Sequence, residues 1–337
     1  MQKIIEVDSQ ILNSIQNCQL KHELQFEENL SPETKAAPLE KGDLLHKMME
    51  LYDGLMSKDA LNRSADTWQL LYAAQWEMDF PGMDDFLASY RLEKNKRNII
   101  NFCLRAGKFF ASKMQIDTET SDNVMFQFNA YCEFYTNDPW ETLAVEEVGS
   151  RVLFENAILK IIYSGKIDRV VQQGNIIAPM DHKSSERRGS VSSMSNQFIG
   201  YCFLLQCNHI IIDKIGFQKT LKPAERFQRF ILQIDQGRID EWAENSINTL
   251  LVHLMTTVED STEAEMYFQV LRARLKSPLM NLTSCDKYSG CIYTNICESS
   301  PEGRQWIKER DFIVREKWDV GSILEAKVEE VKENAKS

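Results

Sequence analysis

Apolar residues recur at helical spacing in the first third of the chain and switch to strand-like alternation after residue 139. Asp8 or Ser9 caps a short helix whose apolar positions Ile11, Leu12 and Ile15 lead to Cys18. Residues 27–41 are polar and read as a loop. From Gly42, residues Leu44, Leu45, Met48, Met49, Tyr52, Leu55 and Met56 form one apolar helical stripe with His46 at its edge. Residues 60–138 keep a mostly helical pattern, broken at Pro81-Gly82. Pro139 marks a boundary, and β-branched, alternating residues then predict three strands through residue 183.

Beyond a polar stretch at 184–196, QFIGYCFLLQC predicts a helix, HIIID and RFILQID predict strands, and residues 239–258 and 262–275 predict two helices. The chain turns irregular and cysteine-rich at 284–299 before a charged tail, helical or frayed. Helices around a central mixed sheet make the fold class α/β or α+β. The composition shifts divide the chain into 1–58, a helical insertion at 59–138, a core at 139–260 and a C-terminal region at 261–337.

At 337 residues the chain can bury a full core. Its net charge of −11 argues against whole-surface attraction to nucleic acid but is compatible with a local basic groove. No apolar run has membrane-spanning length, and MQKIIEVDSQ lacks the pattern of a signal peptide, so the expected location is the cytoplasm, with no membrane partner. In a reducing compartment the eight cysteines are expected to be buried hydrophobes or metal ligands rather than disulfides.

Chemistry concentrates at GKIDRVVQQGNIIAPMDHK, residues 165–183. Gly174-Asn175 is a two-residue turn signal between strand-like runs, so Gln173 should pair with Ile176. Counting outward brings Asp168 opposite Asp181, with Lys183 two residues on along the same face. Side chains so opposed have Cβ atoms about 5 Å apart, where like charges repel. A divalent cation between them would hold the pair and activate water against a phosphodiester, with Lys183 orienting that water or neutralising developing charge. The alternative is an exposed hairpin with solvated charges. Gln197 and Tyr201 lie four apart on one helical face, where they either orient Lys183 and contact phosphate or are ordinary half-buried polar residues. In AVEEV, either Glu146 or Glu147 supplies a further acidic contact or is a solvated strand charge.

These residues resemble the PD-(D/E)XK nuclease superfamily and, within it, the RecB-like exonuclease branch. Gly165-Lys166-Ile167-Asp168-Arg169 matches the first acidic motif, Asp181-His182-Lys183 the second, and Gln197 to Tyr201 the QxxxY helix motif. The resemblance implies a restriction-endonuclease-like sheet at 139–260 and a metal-binding role for the upstream His46. Asp181 stands where many relatives have Glu. The implied activity is a Mg²⁺- or Mn²⁺-dependent DNA nuclease, an exonuclease on single strands or duplex ends, with His46, Asp168 and Asp181 on the metal. A rival reading is a DNA-binding or scaffolding subunit of a helicase-nuclease assembly that keeps the fold without cutting. The chain lacks helicase motifs, so any unwinding would come from a helicase or recombination partner.

Cys285, Cys291 and Cys297, each separated by five residues, together with Cys18, could hold a 4Fe-4S cluster. Zinc modules more often show C-x2-C or C-x4-C knuckles, which this stretch lacks. The resemblance implies the same, since an iron-sulfur subset of these nucleases places one cysteine before the upstream histidine and three after the core; the spacing before Cys291 departs from the closer pair usual there. Cys103, Cys132, Cys202 and Cys207 fall within apolar helical patterns and read as core. Lys94, Arg97, Arg105 and Lys108, near Phe102, Phe109 and Phe110, are either a phosphate-tracking surface or a solvated basic face over an aromatic core. Arg187 and Arg188, just beyond Lys183, are the better candidates for contacting nucleic acid.

Overall fold

The computed structural model describes residues 2–17, 22, 25–26, 37–57, 95–185, 191, 193–258, 260–274, 299–300 and 303–311. In chain order the elements are β1 (Lys3–Val7), α1 (Ser9–Asn17), α2 (Ala37–Met56), α3 (Lys96–Lys113), α4 (Thr118–Phe134), β2 (Glu141–Glu155), β3 (Leu159–Gln173) and β4 (Ile176–Ser185). They continue with α5 (Asn196–Leu205), β5 (His209–Gly216), α6 (Pro223–Arg226), β6 (Phe227–Gln233), α7 (Gln236–Thr257), α8 (Ser261–Arg274) and α9 (Gly303–Asp311). The chain divides into two compact units, Met1–Cys291 and Ile292–Ser337. The described part of the second includes α9, where the Arg310 guanidinium lies 4.2 Å from the ring centroid of the exposed Trp306.

Six strands form one mixed sheet, in the order β1-β3-β4-β5-β6, with β2 paired to β3. The β1–β3 and β4–β5 pairs are parallel; β2–β3, β3–β4 and β5–β6 are antiparallel. The expected class, helices around a central mixed sheet, is the one observed. Helices α2, α3 and α4 share one apolar core with Ile215, Phe217 and Phe227 of the sheet side, built on Leu44, Leu45, Met48, Phe102 and Phe128. Strand β1 was not expected: Ile4 is exposed and Ile5 only half-buried, which hides the alternation, and only Val7 is buried.

The hairpin forms as counted, with Gly174 at φ 58° in the left-handed region that glycine tolerates, and Gln173 paired with Ile176. The β3–β4 ladder then runs outward to Arg169 and Met180 and stops, so the next pair, Asp168 and Asp181, sits where the strands part. On its other side β3 continues against β2, but the ladder passes from Val145↔Arg169 to Glu147↔Ile167 and leaves out Glu146 and Asp168. Glu146 has φ 54°, a conformation costly for a residue with a Cβ. Both ladders are therefore interrupted at Asp168, which frees its carboxylate from the regular pleat.

Candidate active site

Asp168 and Asp181 come together at this break. Asp168 Oδ2 accepts the backbone N–H of His182 at 3.0 Å, a bond across the gap where the ladder has ended. Asp181 is fully buried. Lys183 Nζ donates to its Oδ1 at 3.1 Å and lies 2.9 Å from Oδ2, yet Oδ2 has no aligned hydrogen bond. Burial first, and then the charge of Asp181, push the Asp168 carboxyl up to about 6; His46, the His182 amide and Lys183 pull it back.

Helix α5 fixes the lysine. Gln197 Oε1 accepts from Lys183 Nζ at 2.8 Å, Gln197 Nε2 donates to Tyr201 Oη at 2.9 Å, and Tyr201 Oη donates to the Lys166 carbonyl at 2.7 Å. Each group has one role in this chain, which sets the amide orientation of Gln197. Burial, reinforced by Asp181 and Asp168, holds the Tyr201 phenol above its usual range, so it is a neutral donor. The helix sits close to β3 because Gly200 has no side chain: a Cβ there would lie 2.0 Å from Tyr163 Oη.

Helix α2 brings the remaining groups. His46 Nδ1 is 3.5 Å from Asp168 Oδ2 and remains partly open to solvent. Glu50, one turn further along α2, was missed by sequence reasoning, although its i+4 spacing from His46 was the available signal. Its carboxyl is pushed up to about 7, by burial first and Glu146 next, against the pull of Lys166 and Lys47. Of the two candidates on β2, Glu146 turns inward and pairs with Lys166, its side chain 18% exposed, whereas Glu147 is exposed.

A second ionic cluster was also unforeseen. Arg169, next to Asp168, is buried against Asp53 (3.5 Å) and Asp138 (3.7 Å) and donates to Thr142 Oγ1 and the Trp140 carbonyl. His182, between Asp181 and Lys183, turns away from them, its Nε2 3.7 Å from Asp53 Oδ2. Arg229 clasps Asp213 and Asp138, and Tyr131 Oη donates to Asp213.

A family model of the PD-(D/E)XK nuclease superfamily matches residues 10–298. The chain belongs to that superfamily. The match is to the PD-(D/E)XK nucleases as a whole, which typically use Mg²⁺ or Mn²⁺, and the central mixed sheet flanked by helices agrees with their fold. No curated protein matches the chain. A solved structure described as "Crystal structure of SSO0001" aligns over 66% of this chain and 96% of that chain at 12% identity, with a TM-score of 0.26, too loose to argue from. No helix among the described residues is long and apolar enough to cross a membrane.

For a PD-(D/E)XK nuclease the question is whether these residues suit a divalent cation. Among the described residues, no three His, Cys, Asp or Glu side chains stand close enough as they are to hold one. Lys183 and His46 instead lie against the two carboxylates. The donor set still fits a hard cation: Asp168 and Asp181 are paired at the strand break, and a fully buried Asp181 oxygen has no hydrogen bond. Asp168, Asp181 and His46 are the residues that could hold it.

Cys18, Cys285, Cys291, Cys297, Lys94, Arg187 and Arg188 lie outside the described residues. On α3, Phe102 and Phe110 are core residues, Phe109 is half-buried with Lys113 Nζ 5.7 Å from its ring centroid, and Arg97 pairs with Glu133. Cys103, Cys132 and Cys202 are buried as expected; Cys207 departs from that expectation and is only partly covered.

Proposed function

We propose that this chain is a metal-dependent DNA exonuclease of the RecB-like branch, hydrolysing phosphodiester bonds in single strands or at duplex ends. The observation that supports it best is the hydrogen-bonded chain from the Lys166 carbonyl through Tyr201 and Gln197 to Lys183, ending on Asp181 beside Asp168. A lysine held by two acceptors has a fixed ammonium, and a fixed donor stabilises developing charge without the cost of reorganising at the moment of reaction. A merely solvated hairpin lysine would need no such support.

Asp168, Asp181 and His46 would hold Mg²⁺ or Mn²⁺, which when bound supplies Lewis-acid stabilisation and a lowered pKa for coordinated water. Lys183 orients the attacking water and balances charge on the phosphate oxygens as the new P–O bond forms and the old one breaks, leaving a phosphate and a hydroxyl end. Gln197 and Tyr201 keep the lysine aimed. Glu146 adds negative charge beside the site, partly balanced by its partner Lys166, and Glu50, its carboxyl pushed up to about 7 by burial and Glu146, holds or releases a proton there near neutral pH. Arg187 and Arg188 would track the strand backbone.

The same reading gives Cys18, Cys285, Cys291 and Cys297 to a 4Fe-4S cluster that braces the fold; its support is their spacing and the branch resemblance. It also places the protein in the cytoplasm, with unwinding left to a helicase or recombination partner. The test is a cleavage assay on labelled, polarity-defined DNA with Mn²⁺, alongside iron and sulfide analysis of anaerobically purified protein. Lys183→Ala should lower cleavage by at least about a hundredfold. Cleavage unchanged in that variant would overturn the active-site assignment, and protein free of iron would overturn the cluster alone.

A further inference from the structure

Helix α5 ends in a way that brings two thiols together. Gln206 adopts the left-handed conformation, φ 53°, and its N–H bonds back to the Cys202 carbonyl. The next N–H, that of Cys207, bonds to the same carbonyl at 3.1 Å. The Cys207 bond is the six-to-one bond of a Schellman closure, which folds the residue two past the helix back over the residue five before it, where side chains commonly meet. That contact is usually apolar. Here it is made by Cys202 and Cys207, whose sulfurs lie 3.6 Å and 3.5 Å from one acceptor, the His209 carbonyl.

We propose that Cys202 and Cys207 are a redox-active dithiol that closes to a disulfide when a peroxide reaches Cys207. Neither thiol belongs to the cleavage site or to the cysteine set assigned to the cluster. Their reactivities are divided by environment. Cys202 is fully buried, and the Cys207 sulfur beside it and then burial push its thiol up, so it is held protonated. Cys207 is only partly covered, so a peroxide reaches it first, and the Cys202 thiol beside it, with the amides of His209 and Cys207, pulls its pKa below the usual thiol value against the effect of burial.

The step balances with a peroxide as the oxidant. The Cys207 thiolate attacks one peroxide oxygen, the O–O bond breaks, and the leaving hydroxide takes a proton, giving a sulfenic acid and water. The Cys202 sulfur then displaces the sulfenic hydroxyl; the S–S bond forms, the thiol proton leaves with that hydroxyl as a second water, and the two sulfurs have together lost two electrons. A thiol reductant reverses the reaction by exchange.

The sequence makes the test site-specific. Tryptic cleavage after Arg188 and Lys214 releases residues 189–214, which contain Cys202 and Cys207 and no other cysteine. Full-length protein is treated with hydrogen peroxide, alkylated under denaturing conditions, digested and weighed, with and without prior reduction by dithiothreitol. The expected peptide is lighter by two hydrogens, carries no alkyl group at either cysteine, and regains both alkylation sites on reduction. A Cys202→Ser chain should instead stop at a Cys207 sulfenic acid trapped by a 1,3-diketone. Over-oxidation of Cys207 while Cys202 still alkylates would overturn the proposal. So would both cysteines staying alkylatable at a peroxide dose that oxidises Met194 in the same peptide.

Discussion

Replacing Asp168 with Asn should stabilise the metal-free protein at neutral pH while removing cleavage. Burial and the neighbouring Asp181 push the Asp168 carboxyl from 3.8 up to about 6. Its side chain is only 16% exposed, so solvent does little to screen that interaction. The folded chain keeps this proton to about pH 6 and the unfolded chain releases it near 4, so between those values the folded state binds more protons and stability falls as pH rises. Above that window the ionised group costs folding about 3 kcal/mol, from about two pKa units at about 1.4 kcal/mol each. Asn keeps an oxygen to accept the His182 N–H and removes the charge. Urea unfolding in chelator should show a gain of about 1–3 kcal/mol near pH 7.5 that shrinks to about a third of that near pH 4.5 and vanishes below about pH 3.5. A variant that is less stable at both pH values, or changed equally at both, would refute the claim that the two carboxylates repel across the strand break.

Gln197→Leu should lower kcat about ten- to a hundredfold with KM nearly unchanged, because Lys183 loses one of its two acceptors while substrate contacts remain. Tyr201→Phe should act more mildly, and the double variant should fall short of the product of the two effects, since both act through Lys183; full multiplicativity in steady-state assays would contradict the shared chain. Gly200→Ala should destabilise the fold by about 1–3 kcal/mol through overpacking. Adding Tyr163→Phe should rescue little of that loss, because the new Cβ would still lie 2.4 Å from the ring carbon, and thermal unfolding checks both variants. Arg229→Met should cost about 3–5 kcal/mol by stranding the buried Asp213 beside Asp138, and a loss under about 1 kcal/mol in urea would show the cluster to be solvated.

Much of the sheet was legible because strands β2 to β5 keep strong local signals: Gly-Asn at the turn, β-branched runs on either side, and Ile210, Ile211 and Ile212 fully buried in β5. Counting register from a two-residue turn sufficed to bring Asp168 to Asp181. Three things were not legible. Strand β1 has little buried apolar surface of its own and depends on parallel pairing with β3, a contact between residues far apart in the chain. The inward turn of Glu146 depends on its positive φ, which nothing in AVEEV signals. The burial of Arg169 and His182 requires knowing that Asp53, Asp138, Asp213 and Arg229 arrive from four other parts of the chain, and charge patterning along the sequence does not reveal such convergence.

That cluster bears on how the site is specified. Along β4, Asp181 and Lys183 serve the candidate active site, while Met180 contacts Arg169 and His182 faces Asp53. A slip of β4 by one residue against β5 would exchange these faces. Asp181 would then enter a region where Asp53, Asp138 and Asp213 already outnumber Arg169 and Arg229, and where burial has pushed Asp53 up to about 6. His182 would lose its buried place, and Lys183 would be drawn toward the same carboxylates. The penalty falls on the slipped register alone, because the observed one leaves His182 neutral, its pKa held well below the usual range by burial and by Arg169. Buried ion pairs contribute weakly to net stability, but they discriminate strongly between alternatives that would leave a charge unpaired. The pairing of Asp168 with Asp181 is thus enforced from the far side of β4, by residues that take no part in the proposed chemistry.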